Sequence, residues 1–200
     1  MAVSTENNTV SKGRQALFER GYKSWCENTA LSIRVKLGLK SHDPLLPSLL
    51  ADSLDAKIVD LGNVPGLSSE ALNHLSSSSG DDWSAVTVVC GEKEVIVVNP
   101  SHSLGRTSSD LMHELSHLIL SHKSAETFVS EEGFMLRDYD DKQEAEADWL
   151  AGTMLLPRRA LEHIKYNHLS DDEVIEQYGV SRQLYDYRCR MTAVNKQYRR

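Results

Sequence analysis

The sequence predicts an α+β fold, mostly helical, with a small antiparallel sheet flanking one central helix. Apolar residues recur at spacings of three and four over long stretches, as half-buried helices require. β-Branched runs are confined to short segments, and two of them, Ala85–Cys90 and Glu94–Val98, are separated by Gly91-Glu92-Lys93, a hairpin pattern. The chain of 200 residues is 40% apolar and 26% charged, ordinary for a single hydrophobic core, and no run approaches 18 apolar residues.

Taken in order, residues 1–11 are polar, lack the apolar core of a signal peptide and are expected to be flexible. Lys12–Leu39 reads as a helix with Leu17, Trp25, Leu31, Val35 and Leu37 near one face, and Pro44–Leu54 as a shorter one. Ala56–Leu61 reads as a strand punctuated by Gly62, Pro65 and Gly66, Ser69–Leu75 as a helix, and Ser76–Gly80 as a loop. After the hairpin, Gly105–Asp110 offers an N-cap and first turn to a helix whose apolar positions are Leu111, Leu115, Leu118 and Ile119. Ser130–Asp141 is an acidic loop, and Gln143–Leu156 a second amphipathic helix stopped by Pro157. The C-terminal third is helical, broken near Asn167–Ser170 and at Gly179. The expected organisation is one domain over residues 12–166, with residues 167–200 forming a helical pair and basic tail on it.

The central helix carries His113-Glu114-Leu115-Ser116-His117. Positions i and i+4 share a face with Cβ atoms about 5–6 Å apart. That separation suits two imidazole nitrogens converging on one Zn²⁺ at roughly 2.0–2.1 Å each. Glu114 then projects beside the metal, where a carboxylate can deprotonate a water. With 8 His in 200 residues, composition alone yields such a pattern about 2% of the time. The helical setting therefore has to carry the reading.

A catalytic zinc takes three protein ligands and keeps one open position. Glu144 is the candidate third ligand, because Asp148 stands one turn further on the same face and can accept the free N–H of a ligand histidine. Glu146 is the alternative. At about 100° per residue it lies roughly 200° from Glu144, so only one of the two can face the metal. His122, five residues past His117, is about 140° around an ideal helix and is not expected to reach the ion. His102, Tyr139 and Arg106 are candidate donors to a transition-state oxyanion, and nothing in the sequence selects among them.

Beyond the five-residue motif, the chain shows Pro44 in an early helix, Trp83-Ser84-Ala85 opening a strand and Val97-Val98-Asn99-Pro100 closing one. It also shows Glu144, Ala147, Asp148, Leu150, Ala151, Leu155, Leu156 and Pro157 in the second helix. Over about residues 15–190 this resembles the ImmA/IrrE family of zinc metallopeptidases. Leu150 stands where the family commonly has Phe, and Arg158-Arg159 follows Pro157; neither touches a proposed ligand. The resemblance implies a zincin-like domain with one Zn²⁺ per chain, His113, His117 and Glu144 as ligands and Glu114 as general base. It further implies site-specific cleavage of a cognate transcriptional repressor in a stress or mobile-element switch.

Charge and cysteines bound the alternatives. The net charge is −7, yet Ser181–Arg200 carries six basic residues against Asp186, leaving −12 on the first 180 residues. An acidic body is a poor nucleic-acid binder and a reasonable host for a cationic protein substrate. Cys26, Cys90 and Cys189 are odd in number and far apart, which argues against a disulfide framework and for a cytoplasmic protein. Glu173–Ser181 followed by Leu184, Tyr185 and Arg188 resembles a helix-turn-helix, so the rival expectation is a noncatalytic, zinc-containing regulator binding a repressor or DNA. A closed structural zinc site needs a fourth protein ligand, and no Cys or His stands at suitable spacing, which favours the enzyme.

Overall fold

A computed structural model describes residues 18–64, 69, 73, 84–90, 93–99, 101–122, 127–129, 135–137 and 140–198. Helix α1 (Tyr22–Lys36) starts after Gly21, whose φ of 92° only glycine adopts cheaply. It therefore begins later than the predicted Lys12, of which segment residues 12–17 lie outside the described ones. It ends in a Schellman turn, with Leu39 N–H donating to Arg34 O at 2.8 Å and Gly38 N–H to Val35 O at 3.1 Å. Helix α2 (Pro47–Ser53) starts at Pro47 rather than Pro44, because a residue preceding proline is pushed out of the helical region, and Leu46 is extended with ψ 132°. Of the predicted helix Ser69–Leu75 only Ser69 and Asn73 are described, both helical, and the Ser76–Gly80 loop lies outside the described residues.

Strands β2 (Ala85–Cys90) and β3 (Lys93–Val98) form the predicted antiparallel hairpin, pairing Ala85 with Val98 and Thr87 with Ile96. Strand β1 (Lys57–Asp60) joins β3 in parallel, so the sheet is mixed, in the order β1-β3-β2. The long crossover from β1 to β2 permits the parallel pairing. Central β3 buries the consecutive residues Ile96, Val97 and Val98, as a strand covered on both faces must. Strand β4 (Thr127–Val129), just before the predicted acidic loop, and β5 (Met135–Arg137), inside it, pair as a short ribbon, each too brief for a periodic signature.

The sheet delivers the chain to helix α3 (Leu104–Leu120). Buried Asn99 donates its backbone N–H to Ser84 O at 3.0 Å, and its Oδ1 accepts from Ser101 N–H at 3.0 Å and Ser101 Oγ at 2.7 Å. This turn fixes the entry angle of α3, which packs across β2 and β3 and along helix α4 (Asp141–Leu155). Asp140 caps α4, accepting from Lys142 N–H at 2.9 Å and Gln143 N–H at 3.3 Å. Helices α5 (Arg158–Tyr166), α6 (Asp171–Tyr178), α7 (Arg182–Thr192) and α8 (Val194–Gln197) follow. A capping box of Ser170 and Glu173 starts α6, and Gly179 at φ 60° ends it. Residues from α1 through α8 share one apolar cluster.

Two buried arginines tie down the end of α4. Arg34 donates to Met154 O at 2.8 Å, Asp43 O at 2.9 Å and Ala30 O at 3.2 Å. Burial pulls its pKa down to about 10. Arg188 donates to Leu156 O at 3.0 Å and to Glu27 Oε1 at 2.7 Å, and Glu27 Oε2 accepts from Arg158 N–H at 2.8 Å. Helix-terminal carbonyls lack intrahelical partners and favour cations, so both contacts complete the helix end.

Helix α3 begins at Leu104, earlier than predicted, because its first turn wedges against the α6–α7 turn. A Cβ on Gly105 would sit 3.0 Å from Ser181 N and 3.0 Å from Val180 C. Both are backbone atoms that cannot swing aside. Gly105→Ala adds helix propensity worth about 0.5–1 kcal/mol, but overpacking costs typically about 1–3 kcal/mol. A net loss of stability is expected on chemical denaturation, and a variant more stable than the parent would show that the contact yields freely.

Candidate active site

Helices α3 and α4 lie against each other so that His113, His117 and Glu144 converge. His117 Nε2 is 3.0 Å from His113 Nε2, Glu144 Oε2 is 3.2 Å from His113 Nε2, and Glu144 Oε1 is 3.6 Å from His117 Nε2. One donor atom from each lies within 4.8 Å of the others, a group able to hold a metal ion. Four donors tetrahedrally arranged about 2.0–2.1 Å from zinc are roughly 3.3 Å apart, so the triangle has the right size for that ion. Two imidazoles and one carboxylate are also the donor set of a three-ligand site that keeps a position open.

Asp148 Oδ1 meets His113 Nδ1 at 2.8 Å. If that nitrogen carries the proton, Nε2 presents its lone pair to the triangle, the tautomer a metal requires. Burial pushes the His113 pKa down, but the Asp148 hydrogen bond and charge, with Glu114 and Glu144 beyond, outweigh it and raise the pKa overall. The field that stabilises an imidazolium here also stabilises a bound cation.

Glu114 stands outside the triangle and turns toward the sheet, where Thr87 Oγ1 on β2 donates to Glu114 Oε2 at 2.5 Å. Of the motif residues, Ser84 directly precedes that strand and Ala85 begins it; Trp83 lies outside the described residues. Strand β2 ends the strand order of the sheet among the described residues.

Of the oxyanion candidates, buried His102 bonds Asp110 Oδ2 through Nδ1 at 2.8 Å. Arg106 sits two turns before His113 on α3, about 10 Å along the axis. Tyr139 lies outside the described residues.

The structure adds features that the motifs did not disclose. Thr87 carries no motif of its own and becomes significant only through the packing of β2 on α3. His122, dismissed as a ligand by ideal helical geometry, contacts the back of His117, with their Nδ1 atoms 3.0 Å apart. Beside His113 and Asp148 opens a cleft of ≈ 380 Å³, also lined by Gly152, Leu155, Leu184 and Tyr187. Two of those residues, Leu184 and Tyr187, come from α7, the second helix of the helix-turn-helix-like segment. In α7 Tyr185 and Arg188 are buried, Arg188 on Glu27, and Arg182 pairs with Asp171 and Asp186. Of the three arginines of that helix, Arg188 is buried while Arg182 and Arg190 remain exposed.

A HExxH helix, a following Glu-x-x-x-Asp helix and a small sheet laid over the first define a metallopeptidase domain. The family model for the IrrE N-terminal-like domain, the M78 peptidases, matches residues 69–190, and the chain belongs to that metallopeptidase family. No curated protein is detectably similar in sequence. Among solved structures, a Mycobacterium tuberculosis transcriptional regulator superposes with a TM-score of 0.49 at 15% identity. The match covers 82% of this chain and 46% of that one, so the chain spans less than half of that protein's length. Among the described residues no helix is long and apolar enough to cross a membrane.

Proposed function

We propose that the chain is a cytoplasmic, zinc-dependent endopeptidase that cuts one cognate protein, a DNA-binding repressor, at a single site. The observation that carries the enzymatic part is the triangle of His113, His117 and Glu144 with the carboxylate of Glu114 one residue from the first ligand. His113, His117 and Glu144 would hold one zinc ion. When bound, that ion supplies Lewis-acid polarisation of the scissile carbonyl and a lowered pKa for water. Glu114 accepts the proton of the attacking water at a carboxylate oxygen and passes it to the departing amine. Thr87 holds that carboxylate in place through its hydroxyl. A peptide added as a strand beyond β2 runs past Glu114 and is held by backbone hydrogen bonds. Its apolar side chains have the cleft between His113 and Leu184 to enter.

Backbone pairing along an edge does not select one sequence, so selectivity comes from docking remote from the cut. The charge of −12 on the first 180 residues suits a cationic partner, which a small DNA-binding repressor is. The resemblance to the ImmA/IrrE peptidases supports the same partner class. The test is digestion of casein beside co-expression with the proteins encoded near this chain. Negligible casein hydrolysis and one cut in one repressor-like partner are expected. Cleavage should weaken with salt, since the Debye length is about 10 Å at 0.1 M. Digestion of casein at a rate comparable to any partner would make the chain a general peptidase.

A further inference from the structure

We infer that His122 and Glu146 form a positioning relay that fixes the ring of His117, so that its Nε2 is delivered to the metal. The inference rests on the zinc-site reading above and assigns a role to two residues outside the ligand triangle.

The relay is built by the end of α3. The helix stops at Leu120, and Ser121 takes a left-handed conformation, φ 52°, that costs a non-glycine residue about 1–2 kcal/mol. Ser121 N–H donates to Leu118 O at 3.1 Å and His122 N–H to His117 O at 3.0 Å, a Schellman closure on a residue other than glycine. The reversal takes His122 off the helical path and folds its ring back onto His117, with centroids 5.0 Å apart at 67°.

The proton inventory then has one solution that leaves His117 Nε2 free for a metal. His117 Nδ1 must carry a proton and donate it to His122 Nδ1, 3.0 Å away. His122 consequently holds its own proton on Nε2, and that nitrogen lies 3.4 Å from Glu146 Oε2. Glu146 Oε1 lies 3.7 Å from Lys142 Nζ, which supplies a compensating charge. The side chain of His122 is 8% exposed and that of Glu146 15%, so water competes weakly for these contacts. His122 cannot serve as a fourth ligand from here, because it contacts the nitrogen of His117 that faces away from the triangle.

The two histidines are thus supported differently. Asp148 reaches His113 directly, whereas Glu146, on the far side of α4 from Glu144, needs an imidazole to span the gap to His117. Outer partners of metal-ligating histidines are worth typically about 10–100-fold in metal affinity.

The test measures zinc affinity by chelator competition and the d–d absorption of the cobalt(II)-loaded protein, with circular dichroism to establish folding. His122→Phe and Glu146→Ala are each expected to weaken zinc binding about 10–100-fold and to alter the cobalt spectrum. Glu146→Gln keeps an oxygen that accepts the Nε2 proton and should recover most of the affinity. Glu146→Ala acts at one remove, so it decides the matter if His122→Phe fails to fold. Parental affinity and spectrum in folded His122→Phe or in Glu146→Ala would overturn the relay while leaving the zinc site intact. A parent chain that binds no zinc would instead remove the site and the relay together.

Discussion

Glu114→Gln is expected to fold and to take up metal as the parent does, yet to cleave its substrate about 10²–10⁴-fold more slowly, the usual contribution of a general base. The side chain lies outside the donor triangle, so the substitution removes no ligand. The amide keeps the shape of the carboxylate and retains an oxygen able to accept from Thr87 Oγ1, which now bonds Glu114 Oε2. What it lacks is the ability to take a proton from water. Bound metal measured beside single-turnover cleavage separates the two roles. Cleavage at the parental rate would remove Glu114 from the chemistry, and loss of metal would make it a ligand.

The second large effect is expected at Glu144. Apparent zinc binding worth roughly 10–16 kcal/mol over the four ligands of a structural site assigns about 2.5–4 kcal/mol to each, or on the order of 10²–10³-fold in affinity. Glu144→Ala should therefore fail to retain stoichiometric zinc against a chelator, as should His113→Ala and His117→Ala. Glu146→Ala, acting only through His122, should still bind one zinc per chain at micromolar protein. The reverse pattern, zinc retained without Glu144 and lost without Glu146, would exchange the two glutamates. Their separation rests on the observed 3.2 and 3.6 Å approaches of the Glu144 oxygens to the two histidines.

Much of this arrangement was legible because it is local. Two histidines four apart share a helical face whatever surrounds them, and Glu144 and Asp148 do so on the next helix. The hairpin was visible in two β-branched runs around a short polar break, and the end of α4 in Pro157. Helix starts were less legible. Proline at position 47 and a left-handed glycine at position 21 moved α1 and α2 inward from their periodic patterns. The β4–β5 ribbon was missed because strands of three residues carry no periodicity.

The sequence by itself determined that His113 and His117 share one helical face with Glu114 beside them, since covalent spacing and helical pitch settle both. The choice of Glu144 over Glu146 came from the packing of α4 on α3. Only the tertiary structure decided the supports of these residues. Thr87 reaches Glu114 across 27 residues, and Arg34 reaches the end of α4 across 120. No local periodicity encodes such distances. His122 is the clearest instance, because an ideal helix carries it away from His117. A single left-handed residue, Ser121, breaks that pitch and turns the imidazole back, since the end of a helix is set by what the chain packs against next.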